Sequence, residues 1–265
     1  MAKFTSILYD TFFEIKDRKI FWLYWIVTFV MILVFAFLPD VKINGQNILE
    51  SGNIPEEFVA EGIAMFFNGF FGFMMFLMVF GSAGLLPSYL SKGRVELALA
   101  KPISRTQLLL IKFLSVFLIM SSIFIVSCSV LYLLISYQAG IFTGYFFLGL
   151  LVAIGKFLFI YAILFFFGIA FNSTAATIMG YFIIWFVSNL LEAREIAYQL
   201  LTNKVWQGIL DTAYHILPKF DEYSANTMSV MKGNGFSDFY PVWSSGLFGV
   251  IALLLAILIF KRRDY

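Results

Sequence analysis

The chain has 265 residues, 61% of them hydrophobic and only 13% charged, with a formal net charge of +2 and a mean hydropathy of +0.90. Soluble domains carry about 25% charged residues, so this composition excludes an ordinary soluble protein and predicts one all-α membrane domain over residues 1–265. The basic residues sit beside apolar runs rather than in a polar module, which predicts no nucleic-acid partner. With one cysteine, Cys128, and one histidine, His215, the chain cannot form an internal disulfide, and neither a cysteine cluster nor a multi-histidine metal site is expected.

In chain order, Phe4, Leu8, Thr11, Phe12 and Ile15 recur at helical spacing, with Asp10, Glu14, Lys16 and Asp17 elsewhere on the wheel. This predicts an amphipathic helix over about 3–19, lying on the inner leaflet. Its acidic residues speak against a cleavable signal. Crossing a hydrocarbon core takes about 20 apolar residues. Six stretches qualify, at about 20–38, 63–86, 113–135, 145–171, 173–191 and 242–260. Their continuity favours helices over barrel strands. The fourth and fifth meet at Phe171-Asn172-Ser173, where a tight turn predicts six spans and one very long helix would leave five.

Between the spans, the segment 39–62 is acidic, and Pro55 can open a short helix there. Gly81 and Gly84 permit close helix approach near the inner end of the second span. The basic segment Arg94 to Lys112 has Lys101, Arg105 and Lys112 to hold it in water, and Pro102 to separate a short helix from the third span. The loop over about 192–241 holds an amphipathic stretch, Ile196, Leu200, Leu201, Val205, Ile209 and Ile216, followed by Pro218. Phe239, Tyr240 and Trp243 form an interfacial aromatic belt before the last span.

Six spans place both termini on one side. That side carries twelve of the 18 basic residues, the other carries five, and Lys156 lies within a span. The positive-inside rule puts both termini and the Arg94 segment in the cytoplasm.

The chain shows no engine of its own. The string Gly149-LLVAI-Gly155-Lys156-Phe157 has five residues between its glycines where a phosphate loop needs four, and it lacks the Ser/Thr. No nucleophile–histidine–acid set is apparent, and no carboxylate lies well inside a span to couple transport to an ion. Met65, Met74, Met75 and Met78 read as packing rather than a copper site. Lys156, near the middle of the fourth span, faces the bundle or a wet cavity. It serves either as a structural partner for neighbouring polar groups or as a cation on a substrate path, together with Asn68 on the second span.

The motifs around the basic segment carry a resemblance. Gly93, Glu96-Leu97-Ala98-Leu99, Lys101-Pro102-Ile103-Ser104-Arg105 and Leu109 to Lys112 follow one another in order, and the chain ends Phe260-Lys-Arg-Arg-Asp264-Tyr265. Together with the six spans, this resembles the permease subunit of type-2 ATP-binding-cassette (ABC) exporters over nearly the whole chain. The resemblance implies an elbow helix with Glu14, Asp17 and Arg18 before the first span. It also implies a cytoplasmic coupling helix, about Arg94–Ala100, between spans two and three. That helix would dock on a separate ATPase through Arg94, Glu96, Leu97, Leu99 and Arg105, with the elbow as a secondary contact. Two ATPase copies and a second permease, identical or paralogous, would complete the transporter in the cell membrane of a prokaryote. ATP and Mg would be bound by the ATPase and no cofactor by this chain. The alternatives are a membrane anchor or assembly protein that moves no solute, and a secondary transporter.

Overall fold

A computed structural model describes residues 2–37, 42–43, 46–47, 56–91, 104–192, 194, 198 and 204–263. Ten helices are found among them: α1 (Ala2–Lys16), α2 (Lys19–Phe37), α3 (Glu56–Ala83), α4 (Leu85–Tyr89), α5 (Arg105–Ala139), α6 (Tyr145–Phe171), α7 (Thr174–Glu192), α8 (Lys204–Ile216), α9 (Phe220–Met231) and α10 (Tyr240–Arg262). A two-residue antiparallel pairing, Lys42–Ile43 with Gln46–Asn47, precedes α3. Six helical segments are long and apolar enough to cross a membrane: α2, α3 with α4, α5, α6, α7 and α10. Successive crossings bring the start of α2 and the end of α10 to one face, here the terminal face, opposite the far face.

Local chemistry fixes the breaks. Pro87 lacks the N–H that would reach the Ala83 carbonyl, and its ring crowds that position; the second crossing is accordingly interrupted at Gly84, between α3 and α4. At the junction of the fourth and fifth spans, Asn172 adopts the left-handed conformation with φ 49°, and its N–H bonds the Gly168 carbonyl. Asparagine is among the few residues that tolerate this conformation, and it ends a helix there. Two residues later, at Thr174, α7 begins, so six spans form rather than five.

Two helices run further than hydropathy alone predicts. The apolar run begins near 113, but α5 starts at Arg105, close to the helix restart expected at Ile103 after Pro102, and the Ser104 side chain caps it by accepting the Gln107 N–H at 3.2 Å. Ser104-x-x-Gln107 is the sequence signature of a capping box. At 35 residues, α5 is about 52 Å long by helical rise and projects beyond a core of about 30 Å. α3 starts at Glu56, so the residues after Pro55 form the first turns of the second crossing and not a separate short helix.

The core centres on α6, which packs against α3, α7, α9 and α10. Glycines allow the closest approaches: a Cβ on Gly149 would lie 2.1 Å from Met231 Cγ, one on Gly155 2.9 Å from the Tyr223 hydroxyl, and one on Gly168 3.2 Å from Leu86. Met74, Met75 and Met78 are buried in the same core while Met65 is exposed, and no metal-holding cluster of His, Cys, Asp or Glu exists among the described residues. On the rim, α2 turns Trp22, Ile26, Phe29 and Val30 outward, and α7 turns Met179, Ile183, Phe186 and Leu190 outward. Broad apolar faces of this kind suit lipid or a second membrane subunit.

α8 and α9, joined by the turn Leu217 to Lys219 and with little packing between them, form an open helical hairpin that does not stay on the far face. Ser224 of α9 meets Lys156, eleven residues inside the far end of α6, about 17 Å by helical rise. Phe220 packs edge-on against Tyr181, in the middle of α7, and the Lys219 N–H bonds Ser245 of α10 at 3.0 Å. The hairpin tip, Leu217 to Lys219, is thus inserted between spans. Sequence periodicity marks α8 as amphipathic but gives no depth. Of the predicted stripe, Val205, Ile209 and Ile216 are exposed on α8, and 196, 200 and 201 lie outside the described residues.

Candidate functional site

The terminal face carries a buried polar network around Glu14. Lys112 Nζ donates to Glu14 Oε2 at 2.9 Å and to Thr11 Oγ1 at 3.1 Å. The Lys112 side chain is fully buried and that of Glu14 is 9% exposed. Ser88 Oγ donates to the other carboxylate oxygen, Glu14 Oε1, at 2.5 Å. Arg18 donates to the Gly84 carbonyl at 2.8 Å and to Ser88 Oγ at 3.0 Å, and stands 3.6 Å from Glu14. The Tyr89 ring lies 4.6 Å from the Lys112 ammonium, within cation–π range. A buried ammonium is tolerable only with such partners.

Helical spacing builds this site. Ile7, Thr11 and Ile15 share one face of α1 with Glu14 beside them, and that face packs on α5. Thr11 and Ile15 therefore turn inward rather than onto a leaflet, and the exposed aromatic face is Tyr9, Phe12 and Phe13. Gly84 leaves room for Arg18: a Cβ there would lie 2.6 Å from the guanidinium. Gly81 likewise admits Ile20 of α2.

A second tie joins the start of α5 to the chain end. Arg105 Nη1 donates to the Arg263 carbonyl at 2.7 Å, and Arg263 Nη2 donates to the Ala170 carbonyl, also at 2.7 Å. Arg263 thereby meets one of the carbonyls left open at the end of α6.

Of the residues singled out in the sequence, Glu14 and Arg18 are engaged within the chain, Asp17 is exposed, and Arg105 is bound to the C-terminal segment. Arg94, Glu96, Leu97 and Leu99 lie outside the described residues, which resume at Ser104. Lys112 is not held in water, as its basic neighbourhood predicts, but buried; the carboxylate that permits this is 98 residues away in sequence. Thr11, Ser88 and Lys112 are the members of the network that sequence reasoning misses. The available signal was Thr11, Glu14 and Arg18 at helical spacing, a polar stripe on an otherwise apolar face.

Near the far face, Lys156 donates to Ser224 of α9, and the carboxylates of Asp221 and Glu192 act on it electrostatically. Asn68 is half-buried on α3, with no hydrogen bond to Lys156 among the described residues. At the hairpin tip, Lys219 Nζ donates to Ser244 Oγ at 2.8 Å and to the Tyr214 carbonyl at 3.0 Å. Burial lowers the Lys219 pKa from the ordinary lysine value, with Glu222 opposing. Burial, and then the hydrogen bond to Glu222, push Tyr214 up to about 12. Arg194 covers the Tyr214 ring at 3.5 Å, and Lys232 at the end of α9 pairs with Glu61 of α3.

The family model for ABC-2 family transporter proteins matches residues 13–265. The chain belongs to the ABC-2 transporter family. This ABC-2 protein is a multi-pass membrane protein and an ABC transporter permease, the membrane component rather than the ATPase, and its family implies an ATPase partner. No curated protein matches it significantly. The family assignment favours the transporter reading over a solute-independent anchor or an ion-coupled carrier.

Proposed function

We propose that this ABC-2 permease forms half of the membrane path of an ATP-driven exporter. Two copies of a separate ATPase dock beneath it, and a second permease, identical or paralogous, completes the path along the exposed apolar faces. ATP and Mg are bound by the ATPase, and this chain binds no cofactor. The terminal face is cytoplasmic, on the asymmetry of basic residues, and the membrane is the inner or plasma membrane of a prokaryote. The observation that carries the reading is the family match combined with the Glu14 network, which ties α1 through Ser88 and Lys112 to the two helices flanking residues 92–103.

In this reading the segment Arg94–Ala100 is the coupling helix. Arg94 and Glu96 make polar contacts and Leu97 and Leu99 apolar ones. Arg105 anchors the following helix, and the exposed Asp17 is the part of the elbow open to a partner. ATP binding draws the ATPases together, and the docked segments move with them. At the other end, the α8–α9 hairpin closes the path from the far face, with Lys156 serving as both wall and fastening, and Asn68 lining it from α3. The test is reconstitution in lipid nanodiscs with the cognate ABC ATPase: the complex co-purifies, and its ATP hydrolysis differs from that of the free ATPase. An ATPase that neither associates nor responds would overturn the reading.

A further inference from the structure

The geometry points to Glu14 as the positioning residue through which movement of the docking segment enters the membrane helices; this rests on the docking reading above. Residues 92–103 connect two flanks, the end of α4 and the start of α5. One carboxylate touches both. Its Oε1 receives Ser88, on the flank before the segment, and its Oε2 receives Lys112, on the flank after it. Glu14 itself belongs to α1, which leads into the first span, α2, through only Asp17 and Arg18.

The consequence is mechanical. The flanks also meet where the Tyr89 ring lies 4.6 Å from the Lys112 ammonium, but without Glu14 a push on the docking segment could still be absorbed at Gly84 or at Ser104, where the helices break. With Glu14 in place, α4, α5 and α1 are pinned at one point, and Arg18, just after α1, adds a strut to the Gly84 carbonyl at that break. A displacement then carries the ends of three crossings together. The pin is dry: Lys112 is fully buried, bonded to Thr11 and covered by the Tyr89 ring. Water and salt therefore screen it little.

Simple stabilisation makes a different prediction. A buried ion pair replaced on both sides by uncharged groups is often tolerated without loss of stability. If Glu14 and Lys112 only pack, the neutral double variant transmits normally. If they are the pin, the variant assembles but transmits poorly.

The test uses the full complex of the permease with its ATPase, in nanodiscs. Cys128 is the only native cysteine, so Cys128→Ala clears the background. Spin labels go at Lys16 on α1 and at Tyr137, exposed at the far end of α5. The distance between them is measured with and without a non-hydrolysable ATP analogue. The expected result is a nucleotide-dependent change in the parent protein that is lost in Glu14→Gln/Lys112→Met while the ATPase stays bound. Ser88→Ala, which leaves the Lys112 pair in place, diminishes the change and serves if the double variant does not fold. A change of parental size in these variants, or none in the parent with ATPase bound, overturns the inference. Absence of ATPase from the parent complex would instead strike the docking reading.

Discussion

Lys156, in the middle of the fourth crossing, is bonded to Ser224, a residue of the far-face hairpin 68 positions later in the chain. A helix that hydropathy assigns to a loop is thus fastened inside the bundle. The bond gives a cation at membrane depth a partner, and it gives the hairpin a defined insertion.

The first prediction concerns that fastening. Lys156→Met removes a hydrogen bond with a charged donor, a class of interaction worth about 1.5–3 kcal/mol. Association with the ATPase should persist, while amide exchange in a peptide covering 219–232 should quicken, reflecting easier local opening. The ATPase rate of the complex should also shift. Exchange as slow as in the parent would show that Gly149 and Gly155 hold α9 by packing alone.

Glu14 and Lys112 should be energetically coupled. Removing one partner of a buried pair costs about 3–5 kcal/mol because the other charge is stranded. Glu14→Ala should therefore lower the melting temperature of the purified permease sharply. The double variant Glu14→Gln/Lys112→Met should lie well above the sum of its two single changes in a thermal double-mutant cycle. Additive losses would mean that the two groups do not interact in the folded protein.

Two glycines should respond in opposite directions. A Cβ at Gly180 would fall 2.6–2.8 Å from three atoms of the Phe167 ring, a rigid group at the α6–α7 contact. Overpacking of this kind costs about 1–3 kcal/mol, so Gly180→Ala should lower thermal stability. Gly208, inside α8, has nothing within 4 Å of such a Cβ. Gly208→Ala should stabilise by up to about 1 kcal/mol, the difference in helix propensity. Equal effects at the two sites would contradict the packing described for Gly180.

How legible these features are in the sequence depends on how local their causes are. The six crossings are legible because each is a continuous apolar run of the required length, and the Asn172 turn because asparagine suits its conformation. The early start of α5 is legible from Pro102, after which a helix can restart at about Ile103, and Ser104 and Gln107 supply the cap that fixes it at Arg105. The burial of Lys112 is not legible, since its carboxylate comes from 98 residues away. The inward face of α1 escapes for the same reason: Thr11 and Ile15 look lipid-facing until α5 is placed against them. The depth of α9 is set by close approach at Gly149 and Gly155, and α9 itself mixes polar and apolar residues without a strong stripe.

The central claim is that a separate ATPase docks on the segment 92–103, whose flanks Glu14 joins. Its most direct measurement is co-purification of the cognate ABC ATPase with the full-length permease carrying Glu96→Lys and Leu97→Lys, beside Lys232→Met on the opposite face as control. The account predicts that the ATPase is lost from the double variant and retained by the control, with both permeases folded by size-exclusion profile. Retention of the ATPase at parental stoichiometry by the double variant would contradict it.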